Sequence, residues 1–207
     1  MMSGASATPK IERRMPRNKV LQDSGEKRTE IVDAARKLFI EAGYEATSMS
    51  AIATSAGVAA NTIYWYFKDK DELLVAVLDA ELERGLAAFR RSPAVDPLGR
   101  LLKVVKQLQQ ASHLVATVHA RMLTSQSISA WHDRFHKLSE NLILDELQQA
   151  GISPKKSKSL VKIWVFTVEG LLAHSMSEAE KREICSVLIG DAAAHGNIVA
   201  RTFGRRL

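Results

Sequence analysis

The stretch TSMSAIATSAGVAANTIYWYFKDKDELL, residues 47–74, decides the fold. Ser48 is placed to cap a short helix carrying Ile52 and Ala53; Ala56, Gly57 and Val58 follow, and a second short helix turns Ile63 inward. A small residue at 53, glycine four later and apolar residues at 58 and 63 are what a helix-turn-helix needs. Ala53 lets the two helices pack closely at a steep crossing. Gly57 takes the positive-φ turn that a Cβ resists. Val58 and Ile63 hold the second helix against the first, which leaves its opposite face free for a DNA groove. Two short core helices joined by a tight turn would show the same four positions, so these alone leave both readings open.

Working outward, the chain is helical. Ile31, Ala35, Leu38, Phe39 and Ala42 form one apolar face, and Gly43 is placed to end that helix as a left-handed cap. Asp69 and Glu72 stand at capping-box spacing ahead of Leu73, Leu74, Val77 and Leu78. Asp96 followed by Pro97 opens a helix from Leu98 to about Ser112; others are expected over about 114–124 and 127–150, the last closed by Gly151. Ser153 and Pro154 open a strongly apolar helix through Leu160, Trp164 and Leu172, and Ser177 with Glu180 boxes a final helix from Glu178 to about Thr202. Strand-like alternation of β-branched residues is absent, which gives an all-α fold.

Composition narrows the class. The 207 residues are 46% hydrophobic and 25% charged, enough for a core without staples. No apolar run nears the roughly 18 residues that cross a bilayer, and the start lacks a signal-peptide core, so the expectation is a cytoplasmic protein with no membrane partner. The single Cys185 cannot make an internal disulfide and cannot build a zinc site, and no cofactor is expected. The formal charge of +6 suits a polyanion partner. Residues 1–75 hold 11 Lys/Arg against 10 Asp/Glu, with Lys10, Arg13, Arg14, Arg17 and Lys19 crowded into residues 1–22, which form an expected flexible basic arm.

The run from Arg28 to Tyr44 (RTEIVDAARKLFIEAGY), then Thr47, Ile52, Ala53, Ala56, Gly57, Val58, Thr62, Ile63, Tyr64, Phe67, Lys70, Leu73 and Leu74, strongly resembles the tetracycline-repressor (TetR) family of bacterial transcription regulators. The resemblance covers about 50 residues in which several spaced elements agree in order. It implies a basic arm (1–22), a three-helix helix-turn-helix DNA-binding domain (23–70) and a larger helical effector-binding and dimerisation domain (71–207). The implied function is a homodimeric repressor released from a near-palindromic double-stranded DNA operator by a small-molecule effector. A regulator of the same fold answering a protein partner is the alternative. An enzyme is least supported, since no Gly-rich phosphate loop and no nucleophile with a recognisable base is present.

Carried over by position, Ala60, Asn61, Thr62, Tyr64, Trp65 and Tyr66 lie on the recognition helix, with Thr47 and Lys70 gripping phosphates beside it. Asn61 can bond bidentately to adenine; the hydroxyls of Thr47, Thr62, Tyr64 and Tyr66 suit phosphate oxygens. The chain departs from the family's pattern where Ala59 replaces a capping Ser, Ala60 a common Lys and Tyr66 the usual His, so residues 59–67 carry no charge. Affinity therefore leans on Lys70, the helix ends and the arm, whose Arg13, Arg14 and Arg17 suit a minor groove.

In the second domain the resemblance places the dimer interface on the helices holding 160–172 and 184–199. His119, Met122, Leu123, Trp131, Phe135 and Trp164 are candidate effector-pocket residues, with His113 and Arg121 candidates for a polar effector. His132 and His136 share a helix face at metal-ligand spacing; with no third ligand in view they read as a surface pair, and no metal is expected.

Overall fold

The computed structural model describes residues 17–91, 97–149 and 153–195, and among them every regular element is an α-helix. These are α1 (Arg17–Glu41), α2 (Met49–Ser55), α3 (Ala60–Tyr66), α4 (Lys70–Arg90), α5 (Pro97–Gln110), α6 (Ser112–Arg121), α7 (Gln126–Gln149), α8 (Pro154–Ala173) and α9 (Glu178–His195). The expected arm residues Arg13 and Arg14, the Asp96 cap, the close at Ala150 and Gly151 and the end near Thr202 lie outside the described residues.

The punctuation read from the sequence has direct causes. Gly43 at φ +85° and Gly57 at φ +64° make the left-handed turns after α1 and α2, where a Cβ would meet backbone strain. Ser48 Oγ accepts from Ala51 N at 3.1 Å. Asp69 Oδ1 accepts from Glu72 N at 2.8 Å, while Glu72 reaches back to Lys68 N at 2.7 Å, one residue before the usual box partner. Ser177 and Glu180 exchange the same pair of bonds at 2.8 and 3.2 Å. One boundary differs. Helix α1 begins at Arg17, inside the arm expected to run to residue 22, because no proline or glycine interrupts residues 17–24.

Ile31, Ala35 and Phe39 of α1, Ile52 and Ala53 of α2, Ile63 of α3 and Leu73, Leu74 and Val77 of α4 form one buried cluster. A division at residue 70 thus falls just ahead of the α4 side chains that complete this core. The cluster continues through Leu114 and Val118 of α6 and Ile128 and Trp131 of α7. Trp131 Nε1 donates to Asp79 Oδ1 at 2.7 Å, tying α7 to α4. A second cluster joins α5, α8 and α9 around Leu101, Val105, Leu171 and Cys185, and a third joins α7 to α8. Burial of these side chains, at about 1.5–3 kcal/mol each, is what holds the helices together.

Candidate nucleic-acid interface

The turn between α2 and α3 is closed by backbone alone: Gly57 N donates to Thr54 O at 3.1 Å and Val58 N to Ala53 O at 2.9 Å. Ile52, Ala53 and Ile63 are fully or almost fully buried and fix α3 across α2. Phe67, 1% exposed, anchors the far end of α3, its N–H donating to Ile63 O at 3.0 Å. As Ala59 predicts, α3 has no side-chain cap. The outward face carries Asn61, Tyr64 and Trp65, at i, i+3 and i+4 on one side of the helix. Tyr64 is 55% and Trp65 88% exposed; Ala60 and Asn61 are also exposed, whereas Thr62 and Tyr66 are half-buried. A tryptophan left almost wholly in water is unusual on a stable surface and suits a contact face.

Thr47 and Lys70 sit beside this face, each also bonded within the protein. Thr47 is 3% exposed, and its hydroxyl donates to Gly43 O at 2.7 Å. That bond satisfies a carbonyl at the end of α1, so the Thr47 hydroxyl proton is already engaged within the protein. Lys70 Nζ donates to Tyr44 O at 2.8 Å and Thr47 O at 3.0 Å, 4.1 Å above the Tyr44 ring. Lys70 therefore clamps the α1–α2 turn. Its charge still borders an open depression shared with Ser48, Ser50 and Tyr64.

Sequence reasoning passed over the group behind Lys70. Arg121, the last residue of α6, donates two bonds to Asp71 in the first turn of α4, at 2.7 and 2.9 Å. Tyr44 OH also donates to Asp71, and the Arg121 guanidinium lies 5.0 Å over the Tyr44 ring. Burial alone would raise the Asp71 carboxyl; hydrogen bonds from Arg121, Tyr44 and Ser125 and the Arg121 charge outweigh it and bring the pKa down to about 2. Burial and the same carboxylate push the Tyr44 hydroxyl well above its usual range. This bidentate pair links the second domain to the residue next to Lys70. Only the basic character of Arg121 was visible beforehand, because its partner lies on another helix.

The six expected pocket residues do not all share one place. Leu123 is 86% exposed in the turn between α6 and α7. Met122, Trp131 and Phe135 pack on the first core, the two rings stacked at 5.3 Å. Trp164 belongs to the second and third clusters, and its buried Nε1 lacks a hydrogen-bond partner. His119 is exposed, but His132 and Glu169 bring their ligand atoms within 4.8 Å of its own. Burial, then the neighbouring His136 and His119, hold His132 below the usual histidine range. The reading of His132 and His136 as a bare surface pair is corrected, since the packing of α6, α7 and α8 supplies partners that spacing along one helix does not reveal.

Residues 31–77, the span from the α1 core face to α4, match the family described as bacterial regulatory proteins, tetR family. This span therefore resembles the DNA-binding domain of the TetR family. Among relatives of this chain, the transcriptional repressor KstR of Rhodococcus jostii is 35% identical over 122 residues, 56% of this chain and 58% of KstR. The chain thus spans less than two thirds of that relative. The regulator UidR of Escherichia coli is 24% identical over 177 residues, 86% of this chain and 78% of UidR. A solved transcriptional regulator from Rhodococcus sp. Rha1 superposes with a TM-score of 0.67 at 19% identity, over 83% of this chain and 98% of that one, which shows a shared fold. No helix among the described residues is long and apolar enough to cross a membrane.

Proposed function

We propose that this chain is a TetR-family DNA-binding repressor that acts in the bacterial cytoplasm as a homodimer, on a near-palindromic operator from which a small molecule releases it. The observation that carries the reading is the outward face of α3, where Asn61, Tyr64 and Trp65 stand exposed on a helix whose inner face is fully buried. Asn61 reads a base; Tyr64, with Ser48, Ser50 and the Lys70 charge around the adjoining depression, seats a phosphate. The half-buried Tyr66 and Thr62 place hydroxyls at the edges. Ile163 and Phe166 on α8 and Val187 on α9, 51%, 67% and 67% exposed, support a dimer built on these two helices. The unpartnered Trp164 indole N–H, between the α5–α9 and α7–α8 clusters, supports an effector with an acceptor atom there.

Asn61→Ala tests the base-reading role. Discrimination at one or two operator positions falls by about 1–3 kcal/mol, measured as the ratio of affinities for matched and mismatched duplexes. An equal loss on every duplex contradicts it.

A further inference from the structure

We propose that His119, His132, His136 and Glu169 form a binding site for a divalent transition-metal ion of the zinc type, held between α6, α7 and α8. His132 and His136 project from one face of α7 at i, i+4, the spacing at which two imidazoles on a helix share an ion. His136 Nε2 lies 3.0 Å from His132 Nε2 and 3.2 Å from Glu169 Oε1 on α8. A tetrahedral ion with bonds of about 2.0–2.1 Å holds its ligand atoms roughly 3.3 Å apart, so these pairs already stand at that separation. His119 of α6 joins through His132 and Glu169: one ligand atom from each of these three lies within 4.8 Å of the others, while His136 reaches the group through its contacts with His132 and Glu169, and His119 draws in by an ångström or so as the ion binds.

The donor set selects the ion. Three imidazoles and one carboxylate, with no thiolate, suit zinc, cobalt or nickel; the all-oxygen shells of calcium and magnesium do not resemble it. His119 is exposed and His136 and Glu169 retain partial exposure, which gives an ion a way in. The single cysteine excludes only thiolate sites, and this nitrogen and oxygen set is assembled from three helices. The position also suits control, a consequence that rests on the proposed DNA-binding role. His119 lies two residues before Arg121, whose grip on Asp71 meets the start of α4 beside Lys70. Drawing His119 toward α7 and α8 shifts the end of α6 and with it that grip.

Cobalt(II) alone, titrated into the chelator-treated full-length protein, gives the test. The expected result is one ion per chain with the visible absorption of four- or five-coordinate cobalt, displaced by zinc. Glu169→Gln and His132→Ala each weaken binding about tenfold or more, while His113→Ala, outside the group, leaves it unchanged. Glu169→Gln keeps side-chain size at a partly exposed position, so it remains informative if His132→Ala fails to fold. Absence of the visible bands, or equal cobalt affinity in Glu169→Gln and the parent, overturns the site. This readout needs no DNA, so its failure is distinct from failure of the operator reading. On a selected operator, zinc shifts the affinity of the parent and leaves that of Glu169→Gln unchanged; an equal response of both overturns the coupling.

Discussion

In an Arg121→Met variant the chain loses about 2–3 kcal/mol of stability at neutral pH, because Asp71 keeps its partial burial and loses its charged partner. The side chains of Arg121 and Asp71 are only 28% and 18% exposed, so water makes up little of the loss. The effect has a pH signature. Asp71 ionises at about 2 in the folded chain against an ordinary 3.8. Its lowered pKa stabilises the fold fully above about pH 5, and the contribution, on the order of 2 kcal/mol, is lost as pH falls through 4 toward 2. Urea titrations across this range should show the parent losing that stability on acidification and Arg121→Met losing much less. Parallel curves would contradict the assignment. Methionine keeps most of the stem that packs beside Tyr44, so the comparison isolates the charge.

Phe67→Ala should have the largest effect on the recognition domain, about 3–5 kcal/mol. The ring is fully enclosed where α3 ends and α4 approaches, with the Arg28 guanidinium 4.9 Å from its centroid. Removing it leaves a cavity under the helix that presents Asn61, Tyr64 and Trp65, so operator affinity falls together with the denaturation midpoint. Phe67→Leu, which fills most of that space, should cost less than half as much. A midpoint unchanged by the alanine would mean that the ring does not anchor α3.

The sequence was most legible where structure is local. Gly57, Gly43, Ser48 and Asp69 announce turns and caps because each satisfies or frees backbone within four residues of itself. The inward and outward faces of α3 followed from Val58 and Ile63. Legibility failed where one helix meets another. The Thr47 hydroxyl reads as a free phosphate donor until the end of α1 is in place, where the Gly43 carbonyl accepts its hydrogen bond. Leu123 has the composition of a pocket residue and lies in an exposed turn. His119 and Glu169 carry no local sign that they face His132, since their meeting depends on the packing of α6 and α8 on α7. Arg121 and Asp71 were hidden for the same reason.

The central claim is that the outward face of α3 reads an operator, and selection of bound duplexes from a random pool, followed by affinity across a salt series, tests it most directly. The account predicts a near-palindrome whose half-sites lie one helical turn apart, about 34–36 Å, bound with a steep loss of affinity as salt rises. Recovery of no sequence above background, with zinc present and with zinc absent, would contradict it.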